Sequence, residues 1–418
     1  MDETGLFTAA LGLTAPWQVE RVEFDQAQGR LDLSLVFPRG SRFPCPAKDC
    51  AQRDCPIHDT AEKIWRHMDF FQHRAFLHAR LPRVSCPTHG VRQVAVPWAR
   101  AGSGFTLLFE ALLLQFAAAM PVRTVAGMVG EHDTRIWRVL DHHVSAARAV
   151  ADHSQVTRVG MDETAAARGQ DYVSIFADMD RRQVLFATEG RDGDTVARFA
   201  ADLSAHGGDP AAVTDTSSDM SAAYIAGIGE HLPNAAMTFD RFHVMAKLSE
   251  AIDAVRRDEV TARPELKGTR WLWLKNRTNL TTRQQGELFA LTRPSARLAT
   301  ARALRWREDF QAYYDQPDGW AEHYLRRWCY GAKRSRLQPI KDFVGTVERN
   351  WDGITAWHAS RLNNGLLEGI NSLVQAAKAR ARGYRNKRNM ITIIYLTAAK
   401  LPLPTVADPA PAYAHVAA

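Results

Sequence analysis

The stretch from residue 156 to residue 240 constrains the fold most, because short apolar runs alternate there with helical segments in a definite order. Apolar runs at 156–162, 172–177 and 183–188 predict three strands. The remaining elements are a helix at 194–203, a fourth strand at 211–214, a helix at 221–229 and a fifth strand at 236–239. The predicted order β-β-β-α-β-α-β is that of a mixed α/β fold.

This order is the one found in ribonuclease H-like folds, which hold acids on the first and fourth strands and a third acid on a later helix. Asp162 ends the first predicted strand, Asp215 and Asp219 follow the fourth, and Asp240 ends the fifth. Attack on a phosphodiester is assisted by Mg²⁺ ions, and such hard cations take carboxylate oxygens. A single Asp at a strand end is more often a turn cap, so the predicted Mg²⁺ (or Mn²⁺) site depends on the whole set.

Four of the five cysteines lie between residues 45 and 86, which favours a metal site over disulfides in a cytosolic chain. A tetrahedral zinc site needs four ligands, usually offered as two close pairs. Cys45 with Cys50 and Cys86 with His89 are the two pairs that we predict to bind Zn²⁺. An alternating run at 76–84 predicts a hairpin that brings the pairs together. The competing ligands are Cys55 and His58, and the choice among the six stays open at this point.

Three helices are predicted between residues 105 and 148. The first ends at Pro121, Gly130 suits the C-cap of the second, and Asp133 or Thr134 suits the N-cap of the third. Two short helices joined by a tight turn predict a helix-turn-helix whose last helix enters the major groove, with an ordinary helical hairpin as the alternative. The DNA-contacting residues predicted on that helix, both exposed, are Arg135 and Arg138.

The positive charge of the chain is concentrated near its C-terminus. The formal net charge is +7, and the segment 361–400 holds eight Lys and Arg against one acid, Glu368. A segment that holds the entire excess favours a polyanionic partner over a merely solvated surface. The residues of this segment predicted to bind DNA are Lys378, Arg380, Arg382, Arg385, Lys387 and Arg388.

No segment predicts a membrane span. The longest apolar stretch, 107–120, is interrupted by Glu110 and Gln115 and is shorter than the ~20 residues that a span needs. The N-terminus begins with MDETGLF, which has neither a basic start nor an apolar core of a signal peptide. We therefore expect a cytoplasmic protein.

Several motifs, taken together and in order, resemble the insertion-sequence transposases of the ISL-three group. The resemblance covers nearly the whole chain, including the cysteine pairs and the residues around them. The motifs that carry it are Asp219-Met-Ser-Ala-Ala-Tyr224, Leu232-Pro-Asn-Ala235, Phe239-Asp-Arg-Phe-His-Val244, Trp271-Leu-Trp-Leu-Lys275, Asn279-Leu280, Asn363-Asn-Gly-Leu-Leu-Glu-Gly-Ile-Asn371 and Gly383-Tyr-Arg-Asn386, with Trp65-Arg-His-Met-Asp69 and Pro82-Arg-Val84 near the cysteines.

The resemblance implies a catalytic triad of Asp162, Asp219 and Glu368, which would hold the Mg²⁺ ions. The spacings of 57 and 149 residues imply a helical insertion before the helix that carries Glu368. Asp215 remains the alternative to Asp219, and Glu163 is the rival to Asp162.

Asp240 and His243 match an Asp-x-x-His element for which a supporting role beside the acids and a structural role are equally plausible. On the predicted helix after Asn364, Leu367 and Ile370 begin an apolar stripe, while Glu368 and Asn371 lie on a neighbouring face.

We therefore predict a ribonuclease H-like mixed-sheet core with a helical insertion, preceded by a zinc module and a helix-turn-helix. The predicted divisions are 1–104 (hairpin and zinc module), 105–150 (helix-turn-helix), 151–250 and 358–400 (core), 251–357 (helical insertion) and 401–418 (disordered tail).

The predicted function is transposition of an insertion sequence. The protein would bind double-stranded DNA, at terminal inverted repeats and at the target, as a homodimer or higher oligomer. An inactive, transposase-derived DNA-binding regulator is the alternative, and a nuclease or resolvase without transposition is a third possibility. The intact acid set argues against the regulator, and the site-recognition modules argue against a general nuclease.

Overall fold

The computed structural model describes residues 2–167 and 171–408, and the chain divides into two compact units. The first unit comprises the residues up to Ala151 together with those from Ala377 onward, and the second is Asp152–Ala376. Within the described residues, no helix combines the length and the apolar character needed to cross a membrane. Residues 409–418 of the predicted disordered tail lie outside the described residues.

The first unit opens with helix α1 (Glu3–Ala10) and a six-stranded sheet of order β1-β2-β5-β4-β3, with β6 paired to β5. Leu31, Leu33 and Leu35 alternate with less buried residues on one strand, which is the pattern of a sheet with one buried face. The predicted hairpins are confirmed, since β1 pairs antiparallel with β2 and β4 with β5. The strands are β1 (Gln18–Asp25), β2 (Arg30–Val36), β3 (Arg42–Phe43), β4 (Cys55–Arg66), β5 (Arg74–Cys86) and β6 (Gly90–Gln93).

Three helices follow in the same unit: α2 (Leu107–Ala119), α3 (Val122–Val129) and α4 (Asp133–Ala149). Gly130 ends α3 in the left-handed conformation (φ 67°), as predicted for the C-cap. The predicted N-cap of α4 is wrong: the cap is His132, whose ring accepts a hydrogen bond from the Thr134 amide.

The second unit contains a five-stranded sheet of order β11-β10-β7-β8-β9. The three strands β7, β8 and β9 are antiparallel, whereas β7, β10 and β11 are parallel, so the predicted mixed sheet is confirmed. Its elements are β7 (Arg158–Ala165), β8 (Tyr172–Asp178), β9 (Gln183–Glu189), α5 (Gly193–Ala205), β10 (Asp215–Ser218), α6 (Ala222–His231) and β11 (Ala236–Phe239).

The predicted fourth strand begins four residues too early. Residues Pro210–Ala212 form a short 3-10 helix, because Asp209 accepts a hydrogen bond from the Ala211 amide and Pro210 favours a helical first turn. The strand β10 starts only at Asp215, which places Asp219 directly after its end.

One face of this sheet is covered by α5 and α6. Met161, Phe176 and Leu185 from the strands are buried against residues of those two helices. The buried helical partners are Val196, Phe199, Leu203, Tyr224 and Ile228.

The segment 251–357, predicted as a helical insertion, is helical, and it has its own core around Trp273, Phe310 and Trp328. Short 3-10 turns at Pro264–Leu266, Arg277–Asn279, Pro294–Ala296 and Ala312–Asp315 connect its helices. The helices are α7 (Arg241–Glu259), α8 (Arg270–Leu274), α9 (Thr282–Thr292), α10 (Ala299–Gln311), α11 (Asp318–Ala332), α12 (Gln338–Arg349), α13 (Trp351–Thr355) and α14 (Trp357–Ser360).

The last two helices are α15 (Gly365–Arg380) and α16 (Lys387–Ala398). The residues from Ala377 onward pack in the first unit, where Ile393 joins the core of the helix-turn-helix and Thr392 donates a hydrogen bond to Asp141 at 2.9 Å. The predicted second part of the core, 358–400, is thus divided by packing: the residues up to Ala376 lie in the second unit and those from Ala377 onward in the first. The apolar face of α16 completes the first unit.

Candidate functional site

The strand β7 places Asp162 on the sheet face opposite α5 and α6. Side chains alternate along a strand, so Val159 and Met161 enter the core while Gly160 and Asp162 face the other way. A Cβ at Gly160 would lie 2.9 Å from the Leu367 Cδ1 atom, so the glycine lets α15 approach the strand closely.

The same helix carries Asn371, whose amide contacts the first predicted acid. Its Nδ2 atom donates a hydrogen bond to Asp162 Oδ2 at 2.8 Å, and Asp162 Oδ1 accepts one from the Glu163 backbone amide at 2.8 Å. The Asn371 Oδ1 atom is buried and has no hydrogen-bond partner among the described residues. A carbonyl oxygen next to a carboxylate is a suitable ligand for a hard cation such as Mg²⁺.

Strand register places three acids in one row at the carboxyl ends of the parallel strands. Ser217 on β10 pairs with Gly160 on β7 and with Thr238 on β11. Two residues further along each strand stand Asp162, Asp219 and Asp240. Carboxyl ends of parallel strands are where open α/β sheets build their sites.

The charges of this row act on one another. Burial raises the pKa of Asp162, the Glu163 amide and the charge of His243 oppose that rise, and the charges of Asp219 and Asp240 add to it. Glu163 is not part of the row, but burial, followed by the charge of Asp219, raises its pKa to about 7. Crowded carboxylates of this kind are relieved by a bound cation, and their hard oxygen atoms fit a divalent ion such as Mg²⁺.

Asp240 joins the row of acids to the start of α15. Its buried carboxylate accepts hydrogen bonds from the Asn364 amide at 3.0 Å and from the His243 ring at 3.2 Å. Asn364 also accepts a 2.6 Å hydrogen bond from Ser217 of β10. The Asp-x-x-His element therefore links the strand ends to the start of the helix that carries Glu368.

Glu368 stands apart from the other two predicted acids. It lies exposed in the first turn of α15, one turn before Asn371, and lines a cleft together with Asp240 and Asn363. Among the described residues, the ligand atoms of Asp162, Asp219 and Glu368 do not all come within 4.8 Å of one another. The structure brings the two aspartates together and leaves the glutamate at the edge of the cleft.

The two rival acids occupy different positions. Asp215 begins β10 opposite Arg158 and accepts a hydrogen bond from Thr214 at 2.8 Å. It is separated from Asp219 by a strand of roughly 13 Å. Glu163 faces away from Asp162, because adjacent strand residues point to opposite faces, and it hydrogen-bonds Tyr224 of α6. The geometry favours Asp219 and Asp162 over both rivals.

A second candidate site lies in the first unit, where Cys45, Cys50, Cys86 and His89 offer ligand atoms within 4.8 Å of one another. The Sγ atoms of Cys50 and Cys86 are 3.6 Å apart, and the His89 Nδ1 atom is 3.8 Å from the Sγ atoms of both Cys45 and Cys86. Zinc–sulfur bonds of ~2.3 Å in tetrahedral geometry place ligand atoms roughly 3.7 Å apart, so this set fits Zn²⁺.

The competing zinc ligands lie outside this group. Cys55 is buried and hydrogen-bonds Cys86, whereas the half-exposed His58 interacts with Asp59 at 3.2 Å. Among the described residues, the other group with ligand spacing is His153, Asp202 and His206 near the end of α5.

The predicted DNA-binding residues differ in exposure. Arg138 is exposed on α4, whereas the side chain of Arg135 is 42% exposed. The Arg135 guanidinium lies 4.1 Å above the Phe105 ring and forms an ion pair with Glu131, so part of its surface is covered by the protein.

The C-terminal basic residues fall into three groups. Arg382 and Arg385 are exposed on the connection between α15 and α16, and Lys378 and Lys387 are half-buried. Two others have partners within the first unit: Arg380 donates to the Ala119 carbonyl at 2.6 Å, and Arg388 pairs with Asp141 at 2.9 Å.

A ribonuclease H-like sheet with a row of acids at its strand ends, accompanied by a helix-turn-helix and a cysteine cluster, defines an enzyme that acts on DNA. The family model described as a transposase, of the ISL3 type with an Asp-Asp-Glu domain, matches residues 159–394. The helix-turn-helix domain of the same family matches residues 94–144, and the zinc finger of the transposases of IS204, IS1001, IS1096 and IS1165 matches 41–89. The chain belongs to the ISL3 family of transposases.

Two relatives extend this similarity over most of the chain. The transposase for insertion sequence element IS1001 of Bordetella parapertussis is 30% identical over 89% of this chain and 93% of its own length. The transposase for insertion sequence element IS1557 of Mycobacterium tuberculosis is 28% identical over 96% of each chain.

Sequence reasoning missed several residues that build the site. Asn364 had no signal beyond its place before a helix, while the helical periodicity did place Asn371 on a face with Glu368. Arg256, Arg270 and Arg307 line the cleft beside Glu368 but come from separate helices. Since no spacing rule joins them, only the fold shows that they belong together.

Proposed function

We propose that this transposase cleaves the ends of its insertion sequence and joins them to target DNA, with Asp162, Asp219 and Glu368 as the acids that hold divalent metal ions. When bound, Mg²⁺ or Mn²⁺ would stabilise the attacking and leaving oxygens of the phosphodiester. Asn371 orients Asp162, and Asp240 positions the start of α15. In the first step water would attack the phosphodiester at the element end, and the P–O3′ bond would break to free the element's 3′-hydroxyl. In the second step that hydroxyl would attack a phosphodiester of the target and release the target's own 3′-hydroxyl.

The observation that carries this proposal is the row of acids. Asp162, Asp219 and Asp240 occupy equivalent positions on three adjacent parallel strands, and Asn371 presents an amide oxygen with no partner among the described residues beside them. A protein that only binds DNA has no need of several carboxylates gathered at one point, because their mutual repulsion is unfavourable.

We further propose that Cys45, Cys50, Cys86 and His89 bind one Zn²⁺ ion, and that α4 reads the terminal inverted repeats through its exposed face, including Arg138. The excess of positive charge from residue 361 onward would hold backbone phosphates. Since the two ends of an element must be joined in one reaction, we propose a homodimer or higher oligomer on DNA.

The test is cleavage of labelled element ends in Mg²⁺ and in Mn²⁺, with gel shift as the control for binding. Asp162→Ala, Asp219→Ala and Glu368→Ala are each expected to abolish cleavage and keep end binding, whereas Asp215→Ala keeps measurable cleavage. If Asp215→Ala is inactive and Asp219→Ala is active, the second acid is misassigned.

Two other outcomes separate the alternative functions. A wild-type protein that binds the ends but cleaves with neither metal would be a DNA-binding regulator. Cleaved ends that are never joined to target DNA would indicate a nuclease without transposition.

A further inference from the structure

A cleft of about 1050 Å³ in the second unit begins at Asp240 and Glu368 and extends along the helical stretch. Asp240, Asn363 and Glu368 line one part of it, and Trp271 and Lys275 line another. Its volume lies at the upper end of the range of small-molecule sites, ~300–1,000 Å³. The cleft therefore has room for a ligand larger than the reacting phosphodiester alone.

A buried carboxylate organises three arginines on the wall of this cleft. Asp253, on α7, lies 2.8 Å from Arg256, 3.7 Å from Arg257 and 3.5 Å from Arg270. One negative charge shared by three guanidinium groups leaves two positive charges in excess. The side chains of Arg257 and Arg270 are 67% and 55% exposed, so they are accessible to an anion from solution.

A fourth guanidinium in the cleft is buried and incompletely bonded. Arg307 is 6% exposed, and its Nη2 atom donates to the Leu274 carbonyl and to Asn276 at 3.2 and 2.9 Å. Its Nε atom has no hydrogen-bond partner among the described residues. A buried cation held by neutral acceptors is stabilised by an anion that enters the cleft.

Two exposed aromatic side chains lie on the same cleft. Trp271 is 58% exposed and has the Arg270 guanidinium 5.2 Å from its ring centroid, and Phe242 is 61% exposed beside Asp240. Exposed aromatic rings in a basic groove are the stacking platforms that bind unpaired bases. Paired bases inside a duplex cannot offer their faces in this way.

We propose that this cleft binds an unpaired stretch of DNA next to the cleavage position, with backbone phosphates on Arg257 and Arg270 and a base stacked on Trp271. Asp253 is a positioning residue that holds these guanidinium groups on the wall of the cleft. This proposal rests on the proposed function in one respect: the DNA strand in the cleft would lead to the acids near Glu368. Binding itself needs no catalysis.

The test compares two labelled element ends, one fully paired and one with a short unpaired overhang at the cleavage position. Binding to full-length protein carrying Asp162→Ala is measured by fluorescence anisotropy, so a failure of catalysis does not affect the result. The protein is expected to bind the overhang more tightly. Trp271→Ala should reduce that preference roughly tenfold, since each stacked base contributes substantially to affinity, and Trp271→Phe should restore most of it.

A second measurement reports stacking directly. The base analogue 2-aminopurine in the overhang should be quenched by the protein and released from quenching by Trp271→Ala. Trp320→Ala is the matched control, because Trp320 is 64% exposed and lies outside the cleft. Arg257→Ala with Arg270→Ala should lower the salt slope by about 0.7 for each phosphate that is no longer neutralised. Arg283→Ala, 89% exposed on α9, should not.

Three outcomes would overturn the proposal: equal affinity for both ends, tighter binding of the fully paired end, or equal effects of Trp271→Ala and Trp320→Ala. Thermal unfolding of each variant separates these outcomes from a loss of fold. If the overhang preference is present while wild type never cleaves, this inference stands and the proposed function fails.

Discussion

Asn371 makes contacts that explain how a single side chain can set the geometry of the first acid. It donates to Asp162 Oδ2 at 2.8 Å and also to the Glu163 carbonyl at 3.3 Å. Both contacts are made across the sheet face on which Gly160 allows α15 to come close. The position of Asp162 is therefore set by a helix that lies more than two hundred residues later in the chain.

We expect Asn371→Ala to lower cleavage of element ends by about 10- to 100-fold, the range typical when a residue that orients a metal ligand is removed. The concentration of Mg²⁺ needed for half-maximal cleavage should rise, since Asp162 loses its orientation. Cleavage rates measured over a series of Mg²⁺ concentrations check this.

The control for Asn371 lies on the same helix. One turn further along, Gln375 donates to the Thr164 hydroxyl at 2.7 Å and to the Ala165 carbonyl at 3.0 Å, beyond Asp162 on the same strand. Gln375→Ala should keep the Mg²⁺ requirement of the wild type. Equal effects of the two variants would mean that the helix packing, rather than the Asp162 contact, is what matters.

At the zinc site, the contacts of a single thiol favour metal binding. Burial raises the pKa of the Cys86 thiol, but hydrogen bonds from the His89 backbone and ring outweigh it and lower that pKa to about 6. A thiolate at neutral pH is the form that binds zinc.

Elemental analysis of purified protein should find one equivalent of zinc per chain. Cys50→Ser should reduce this to near zero, while His58→Ala should leave it unchanged because His58 lies outside the four-ligand group. Less than half an equivalent in the wild type would contradict the site, and full occupancy in Cys50→Ser would point to Cys55 as a ligand.

At the scale of elements, the helix-turn-helix is fixed by a buried ionic network. Glu110 of α2 is fully buried and accepts hydrogen bonds from Ser103 at 2.6 Å, His143 at 2.7 Å and Arg100 at 2.9 Å. Burial alone would raise the pKa of Glu110, but the hydrogen bonds of His143 and Ser103 and the charge of Arg100 hold it below its ordinary value of 4.5.

A depressed carboxyl pKa stabilises the folded state above the unfolded pKa, and this stabilisation is lost as the pH falls through the folded pKa. We therefore expect α2 and α4 to lose stability below about pH 4.5. Glu110→Gln should destabilise them at pH 7 by roughly 3–5 kcal/mol, because it leaves the buried partners without their carboxylate.

The stability of α2 and α4 can be measured by hydrogen exchange of their backbone amides, followed from pH 7 to pH 3. Glu62→Gln, on an exposed position of β4, is the control and should not change the exchange. Unchanged protection in Glu110→Gln would show that the network adds nothing to the stability of the helices.

The elements show what the sequence could and could not predict. Apolar periodicity and caps, which are local signals, predicted the order of elements along the chain. They also predicted the hairpins and the three helices around Gly130. They did not predict the position of β10, because Asp209 and Pro210 favour a helical turn in a stretch whose apolar residues also suit a strand.

Contacts between residues that are distant in sequence could not be predicted, because apolar periodicity and caps are local signals. Helical periodicity predicts an exposed Arg135, but it does not predict that the Phe105 ring lies 4.1 Å from the Arg135 guanidinium. The row of Asp162, Asp219 and Asp240 depends on strand register, and the cleft depends on how separate helices pack. Neither the strand register nor the packing of the helices produces a sequence pattern within a single segment of the chain.

At the scale of the whole molecule, the excess charge is carried by the same unit as the helix-turn-helix. The residues from Ala377 onward belong to the first unit, and they include the exposed Arg382 and Arg385. Arg388 is already paired with Asp141, so it is less available to a phosphate. The basic residues of this segment therefore differ in how available they are to DNA phosphates.

Replacing Arg382 and Arg385 by Ala should weaken binding to all duplex sequences alike and reduce the slope of log affinity against log salt by about 1.8, at roughly 0.9 for each phosphate contact. Gel-shift titrations at several salt concentrations check this. The double variant Arg283→Ala and Arg326→Ala, which removes two exposed arginines elsewhere, should leave the slope unchanged. Identical slopes for both double variants would make the C-terminal arginines a solvated surface only.

The bond between Asp240 and the Asn364 amide also has a consequence for protein synthesis. The helix that carries Glu368 is anchored to the sheet only after the intervening helices have emerged, and 149 residues separate Glu368 from Asp219. At the usual pace of translation this interval lasts about 7–30 s. The C-terminal helix that braces α4 through Thr392 emerges later still. A nascent chain, or one truncated before this segment, therefore has two of its acids in place but cannot complete either unit.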